Sequence, residues 1–162
     1  MKNRNFYIFR HALATHSKSG YGDKIISAEI LPEAIAPIEK MANFFKNISS
    51  DYNVSSEYLR CRETAEIISE ITNKNFIFDS RLNEFHQETF PQFKNKISSF
   101  LDDIKKKRYK NILICTHGAV IAGLKNFIVN GDFNANQLFD YSDCGVLEII
   151  ENGRVKKINF NL

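Results

Sequence analysis

A run of four apolar or aromatic residues near the start of the chain, Phe6-Tyr7-Ile8-Phe9, limits the fold more than any other stretch. Such a short continuous apolar run is typical of a strand that is buried on both faces of a parallel sheet. The run ends at Arg10 and His11, and a loop of small residues follows. Ligands of open α/β sheets bind beyond the carboxyl ends of the strands. The sequence therefore places a cation and an imidazole where a ligand would bind.

A second apolar run, over residues 111–115, ends in the same way, with Thr116-His117-Gly118. The apolar segment 119–129 after it predicts a helix packed on the sheet. Either ending alone is equally consistent with a polar turn that returns the chain to water. Two strands that each end on a histidine next to a helix start predict two imidazoles at one rim of the sheet.

Apolar residues at helical spacing predict further helices over residues 38–48, 59–71 and 90–107. Regular helix in the first of these should begin near Pro37, because a proline interrupts the hydrogen-bond ladder. In the second, Ser55 and Ser56 are candidate N-caps, and Arg60 lies near the helix start, where an anion would bind.

Residues 75–78 predict another brief strand, and residues 145–151 and 155–160 predict a hairpin around Asn152-Gly153. Strands that alternate with helices predict an α/β fold, a three-layer α/β/α sandwich with a mainly parallel sheet and an antiparallel edge strand. The length of 162 residues, with no repeats or linker, predicts a single domain over residues 1–162.

The composition excludes several classes of protein. A net charge of +3 is too small to argue for a nucleic-acid or membrane partner. The dense basic run 105–108 is interpreted as a solvated helix end, with a nucleic-acid patch as the alternative. The cysteines Cys61, Cys115 and Cys144 form no CxxC pair, which excludes a disulfide framework and a cysteine zinc site. Together with the lack of a long apolar run, this predicts a cytoplasmic protein.

Five sequence elements, in this order, resemble the histidine phosphatase superfamily, the phosphoglycerate-mutase-like fold. Phe9-Arg10-His11-Ala12 resembles the Arg-His-Gly opening of the family. The stretch 56–65 resembles its Ser-Pro-Leu-x-Arg-Ala-x-Gln-Thr-Ala segment. Leu82-Asn83-Glu84 resembles its Leu-x-Glu element, and Thr116-His117-Gly118 resembles its Ser-His-Gly. The stretch 143–147 resembles the closing strand.

This resemblance implies a reaction and a role for each residue. His11 would be the nucleophile and form a phosphohistidine that water later hydrolyses. Arg10 and Arg60 would bind the phosphate, with His117 as the second imidazole on it. Glu84 would protonate the leaving oxygen and then activate water. The resemblance implies Ser17 and Gly118 as substrate-binding residues, and neither a metal nor another cofactor.

The chain departs from the family pattern at three places. Ala12 replaces the usual Gly, and Ser17 stands where Asn is common. The stretch after Glu84 is short and lacks the long insertion of the mutases, which predicts an open site and argues against a phosphoglycerate mutase.

Three functions remain open. The first is a phosphatase whose partner is a small phosphorylated substrate, and the second is a protein-phosphohistidine phosphatase. The third is an inactive phosphate-binding module, against which the full set of matched residues argues. His16 and His86 have no partner at metal-ligand spacing. Gly20-Tyr21-Gly22 lacks the context of a dinucleotide site.

Overall fold

The first apolar run forms the centre of strand β1 (Asn5–Arg10), in which Phe6, Tyr7, Ile8 and Phe9 are buried. The structure is a computed structural model that describes residues 3–162. Strand β1 pairs in parallel with β4 (Asn111–Thr116) and antiparallel with β5 (Val146–Glu151). The strand formed by the first apolar run therefore lies inside the sheet, with a partner on each side.

Three further strands complete a six-stranded sheet in the order β3-β2-β4-β1-β5-β6. Strand β2 (Tyr52–Ser55) pairs in parallel with β4 and with β3 (Ile77–Phe78), which forms one edge. Strand β6 (Arg154–Asn159) pairs antiparallel with β5 and forms the other edge. Asn152 and Gly153 join β5 to β6 at φ values of 50° and 75°, as a tight hairpin turn requires.

Within residues 3–162, four α-helices cover the two faces of the sheet. Helices α1 (Ile35–Phe45) and α2 (Leu59–Thr72) share one apolar cluster with Tyr7, Phe9 and Leu113. Helices α3 (Phe90–Lys105) and α4 (Gly118–Asn130) share the other with the alternate residues of the same strands. The predicted three-layer α/β/α sandwich, with its mainly parallel sheet and antiparallel edge, is confirmed.

Local details differ from the predictions in two places. Helix α1 begins at Ile35, after a short 3-10 helix over Pro32–Ala34, because Pro37 falls in the first turn, where its missing N–H breaks no helical bond. Strand β3 covers only Ile77 and Phe78 of the predicted stretch 75–78.

The predicted serine caps of α2 are wrong. Tyr58 is the N-cap residue, and it makes no side-chain cap hydrogen bond with the described part of the chain. The hydroxyl of Ser56 is directed elsewhere, as described below.

Within residues 3–162, no helix combines the length and the apolar character that a membrane span needs.

Candidate active site

The two histidines lie side by side because the strands that carry them are neighbours. Arg10 of β1 is in register with Thr116 of β4, and the backbone N–H of His11 donates to the Thr116 carbonyl over 3.1 Å. The centroids of the His11 and His117 rings are 5.3 Å apart. Both side chains are almost fully buried. The prediction of two imidazoles at one rim is confirmed.

Arg60, the second residue of α2, connects the two imidazoles. Its Nε donates to Nε2 of His11 over 3.2 Å, and its Nη2 lies 3.2 Å from Nδ1 of His117. Its Nη1 donates to the carbonyl of Ile25. The Tyr21 ring covers the guanidinium, with its centroid 4.0 Å from Cζ. A buried charge needs several partners, and Arg60 takes them from three separate segments of the chain.

The partners of His11 determine which of its nitrogens carries the hydrogen. Nδ1 lies 2.7 Å from the carbonyl oxygen of Ala12, which can only accept a hydrogen bond. Nδ1 therefore carries the hydrogen, and Nε2 keeps a lone pair that faces Arg60. Burial, followed by the charge of Arg60, lowers the pKa of His11 to about 3. The imidazole is neutral at neutral pH and can act as a nucleophile.

His117 caps the start of α4 through its backbone carbonyl, which accepts from Ile121 N–H. Its Nε2 lies 2.9 Å from Oγ of Ser56 and 3.5 Å from Sγ of Cys61. Burial lowers the pKa of His117 well below the usual value, and the neighbouring His11 and Arg60 lower it further. In the absence of an anion, this imidazole is also neutral.

Glu84 lies at the same rim, just after a short 3-10 helix over Ser80–Leu82. Its Oε2 is 3.9 Å from Nδ1 of His117, and its Oε1 accepts from the N–H of Phe85 over 3.0 Å. Burial raises the pKa of this carboxyl group above its usual value. A raised pKa suits a carboxyl group that must give a proton to a leaving group.

Arg10 directly precedes His11 in the chain, and its charge is among the causes that lower the pKa of both histidines. Its Cζ is 5.2 Å from the centroid of the Tyr141 ring. Its Nε is buried and has no hydrogen-bond partner among the residues that the structure describes. This donor is free to bind an anion.

Ser17 and Gly118 lie close to this group. Ser17 lines a cavity of about 390 Å³ together with Arg10, but its Oγ accepts from Ala14 N–H and lies 3.0 Å from the Tyr21 hydroxyl. Gly118 is the first residue of α4, and a Cβ atom there would overlap the ring of Tyr141. The glycine makes room for that tyrosine. Substrate binding by Ser17 and Gly118 remains a prediction.

Three tyrosines at the site were not predicted from the sequence. Tyr21 covers Arg60, Tyr58 lies with its ring centroid 5.4 Å from that of His117, and Tyr141 lies beside Arg10. They come from loops and a helix cap, where no periodic pattern marks a residue.

His16 and His86 lie outside the group of contacts around Arg60. His16 is exposed and has a φ of 68°. Across residues 3–162, no cluster of three or more His, Cys, Asp and Glu side chains is arranged to hold a metal ion.

Comparisons with known proteins match both the sequence and the fold. The α-ribazole phosphatase of Shigella flexneri has a similar structure, with a TM-score of 0.80 at 16% identity, over 98% of this chain and 96% of that one. The structure of the protein histidine phosphatase SixA in complex with tungstate gives a TM-score of 0.69 at 14% identity, over 95% and 94% of the two chains.

A protein from Hydrogenobacter thermophilus with the provisional name phosphoserine phosphatase 2 is 22% identical to this chain, in a match that covers 73% of this chain and 75% of that protein. The sequence profile of the histidine phosphatase superfamily (branch 1) matches residues 6–87 and 85–160. The chain belongs to the histidine phosphatase superfamily and, by that membership, is a phosphatase.

Proposed function

We propose that this protein hydrolyses phosphomonoesters, without a metal ion, through a phosphohistidine formed on Nε2 of His11. One observation carries the proposal. The Ala12 carbonyl holds the hydrogen of His11 on Nδ1, so the lone pair on Nε2 faces the guanidinium of Arg60. A nucleophile and a phosphate-binding cation are thus in contact before the substrate arrives.

In the first step, the phosphoryl group takes the place of the imidazoles as the acceptor of the Arg60 hydrogen bonds. The lone pair on Nε2 of His11 then forms the N–P bond as the P–O bond to the leaving group breaks. Glu84 gives its proton to the leaving oxygen, a role favoured by the burial that raises the pKa of its carboxyl group.

In the second step, water attacks the phosphorus of the phosphohistidine. Glu84, now a carboxylate, takes a proton from the water as the N–P bond breaks and its electron pair returns to Nε2. Inorganic phosphate leaves, and the enzyme regains its starting protonation state.

The remaining residues stabilise the charge on the phosphoryl oxygens. Arg10 offers its free Nε–H, and Arg60 its planar fork of donors. His117 becomes cationic when the phosphate binds, because an adjacent dianion raises the pKa of an imidazole. Ser17 and the N-terminus of α4 at Gly118 complete the binding site. Since two guanidinium groups supply the positive charge, the proposal requires no metal ion or cofactor.

A specific observation supports a second candidate function, the removal of phosphate from phosphohistidine in a protein. Helix α3 is capped by Thr89, only five positions after Glu84 in the sequence, so no long insertion stands beside the site. A protein surface could then approach it. SixA, a protein histidine phosphatase, has a similar fold.

The single domain over residues 1–162 belongs to the same proposal and is supported by one sheet that runs from Asn5 to Asn159. The three free cysteines support a reducing compartment, the cytoplasm. The proposed partner is the phosphorylated substrate, and neither nucleic acid nor a membrane is part of the proposal.

Rapid acid-free quenching with ³²P-labelled substrate tests the proposed function. The wild-type protein should form a labelled species that survives alkali and is lost in acid, as phosphohistidine is, and His11→Ala should form none. Substitution of the exposed His16 by Ala should leave labelling unchanged. Turnover in the presence of a chelator should equal turnover without it.

The same experiment separates the alternatives. If a phosphohistidine protein is turned over with a higher kcat/KM than an alkyl phosphate, the second candidate replaces the first. If phosphate binds but no label is transferred from any of these substrates, the chain is a phosphate-binding module.

A further inference from the structure

A series of hydrogen bonds runs from the buried ring of His117, on the side opposite to Arg60, to the exposed side chain of Glu57. Nε2 of His117 lies 2.9 Å from Oγ of Ser56, and Oγ of Ser56 lies 2.9 Å from Oδ1 of Asn83. Nδ2 of the Asn83 amide in turn donates to Oε1 of Glu57 over 3.1 Å. We infer that Ser56 and Asn83 are positioning residues that keep His117 in the tautomer with hydrogen on Nε2 and a lone pair on Nδ1.

The arginine at one end sets the direction of these hydrogen bonds. Nη2 of Arg60 is always a donor, because a guanidinium is not deprotonated in proteins, so Nδ1 of His117 must accept from it. A neutral imidazole that accepts at Nδ1 carries its hydrogen on Nε2. That hydrogen is then donated to Ser56.

The backbone at the other end requires the same direction. The N–H of Glu57 donates to Oδ1 of Asn83 over 2.9 Å, which identifies Oδ1 as the amide oxygen. An amide oxygen cannot donate, so the Ser56 hydroxyl must donate to it. The N–H of Tyr58 also donates to Oγ of Ser56, over 3.2 Å. The Ser56 oxygen is therefore an acceptor toward both Tyr58 and His117.

The nature of Asn83 shows what this arrangement can do. An amide oxygen accepts a hydrogen bond but does not take up a proton at neutral pH. His117, Ser56 and Asn83 therefore do not conduct protons. They fix the orientation of the imidazole and its tautomer. His11, with hydrogen on Nδ1, has the opposite tautomer, and both lone pairs face the same guanidinium.

Asn83 also connects this arrangement to the predicted acid. It directly precedes Glu84, and its backbone carbonyl accepts from Lys96 of α3 over 3.0 Å. One residue thus contacts Ser56 through its side chain and, through its backbone, helps to hold the segment that carries Glu84. What the tautomer contributes to catalysis rests on the proposed function, whereas the tautomer itself does not.

The tautomers are measurable by ¹⁵N NMR of the histidine side chains in the full-length protein without substrate. We expect His11 with hydrogen on Nδ1 and His117 with hydrogen on Nε2. In Ser56→Ala, the His117 signals should shift toward a mixture of tautomers while the His11 signals stay unchanged, so His11 serves as an internal control for folding. The kcat of this variant should fall on the order of 10-fold to 100-fold, with a smaller change in KM.

Asn83→Asp tests the inference through the pH dependence of activity, which should not change if Asn83 only stabilises the fold. A carboxylate at position 83, next to Ser56, stabilises the protonated form of His117, so the pKa of His117 should rise. In a plot of kcat/KM against pH, the apparent pKa that belongs to His117 should therefore move to higher pH. The charged or titratable groups that already face His117 are Arg10, His11, Tyr58, Cys61, Arg60, Glu84 and Lys96. Asn95→Asp, on the exposed side of α3, adds the same charge away from the site and should leave the profile unchanged.

Three results would overturn the inference. The first is a wild-type His117 with hydrogen on Nδ1. The second is a folded Ser56→Ala protein with unchanged His117 signals, and the third is an Asn83→Asp profile that matches Asn95→Asp. The NMR measurement does not depend on activity. A correct tautomer without phosphatase activity therefore supports the inference and rejects the proposed function.

Discussion

Nε of Arg60 donates a hydrogen bond to Nε2 of His11 over 3.2 Å. The atom that is proposed to attack phosphorus is therefore occupied by the cation that is proposed to bind the phosphate. Because a dianionic phosphate is a stronger acceptor for a guanidinium than a neutral imidazole, the substrate frees the nucleophile as it binds. Binding and activation are one event in this site.

Arg60→Lys should show how much of the catalytic efficiency depends on the planar guanidinium of Arg60. An ammonium group cannot span both imidazoles and a phosphoryl group, so we expect kcat/KM to fall about 10²–10³-fold. Steady-state kinetics with one alkyl phosphate measures the effect. Arg108→Lys, at an exposed position, is the matched control. A loss in Arg60→Lys that is no larger than in this control would show that charge alone is sufficient.

Glu84→Gln should distinguish leaving groups. General acid catalysis typically contributes about 10²–10⁴-fold, and it matters most when the leaving oxygen is basic. We expect the variant to lose this factor with an alkyl phosphate but to form the phosphoenzyme from an aryl phosphate at a rate close to that of the wild type. The measurement is the ratio of variant to wild-type rates for the first chemical step. Equal ratios for the two substrates would mean that Glu84 is not the leaving-group acid and would favour the phosphohistidine substrate.

The buried histidines should make the protein sensitive to acid. The pKa of His11 is lowered to about 3 and that of His117 is also lowered, so below pH 6.5 the unfolded chain binds protons that the folded chain does not. The free energy of unfolding should therefore decrease as pH falls, by about 1.4 kcal/mol per pH unit for each histidine once its unfolded form is protonated.

Chemical denaturation between pH 7 and pH 5 tests this dependence. His11→Gln should remove the contribution of one proton from the slope, while His16→Gln, at an exposed position, should leave the slope unchanged. Glu84 changes the free energy of unfolding in the opposite direction. Because its pKa is raised in the folded protein, its contribution to stability is present at low pH and is lost as pH rises through that pKa. An unchanged slope in His11→Gln would mean that His11 is protonated in the folded protein.

Tyr21 should control access to Arg60, which is fully buried beneath its ring. In Tyr21→Ala we expect phenylglyoxal to modify Arg60 several times faster than in the wild-type protein, because the ring no longer shields the guanidinium. Tyr21→Phe keeps the ring and loses only the hydroxyl contact to Ser17, so it should react like the wild type. Peptide mass spectrometry after timed labelling gives the rates. Equal rates in all three proteins would mean that the loop opens freely.

Lys125 should be the most sensitive charged position outside the site. Its Nζ lies 2.9 Å from Oε1 of Glu148, whose side chain is 1% exposed. Lys125→Met removes the nearest cation from that buried carboxylate and leaves it with the Ser142 N–H and the more distant Lys157 as partners, so the free energy of unfolding should fall by about 3–5 kcal/mol. Lys157, with Nζ 4.0 Å from the same oxygen and a side chain that is 55% exposed, provides the control. Lys157→Met should change stability by about 0–1 kcal/mol in urea denaturation. Similar losses in the two variants would contradict this assignment.

The sequence predicted the helices and strands that a periodic or continuous apolar pattern marks, and the site residues that lie at the ends of those strands. Continuous apolar runs identified β1 and β4, and parallel pairing then brought His11 and His117 to one rim. Arg60 was expected near a helix start, but its partners come from segments that are distant in the sequence, including the Ile25 carbonyl. No local pattern reports such contacts.

Ser56 shows most clearly where local patterns fail. A serine a few residues before a helix is a common cap, so the sequence favoured that role. The hydroxyl instead contacts His117, which lies 61 positions away in the sequence. Tyr21 and Tyr141 were missed for a related reason, because they lie in loops whose path is set by tertiary contacts.

The two edges of the sheet limit how copies of this protein can associate. An unpaired strand edge can template the addition of another chain, and proteins avoid this with short or charged edge strands. Here β3 offers only two residues, and β6 carries Arg154, Lys156 and Lys157. Neither edge provides a long neutral ladder of N–H and C=O groups. At high concentration, copies of this protein should therefore resist association through edge-to-edge pairing of their sheets. Replacement of the β6 cations by valine or threonine would remove that protection.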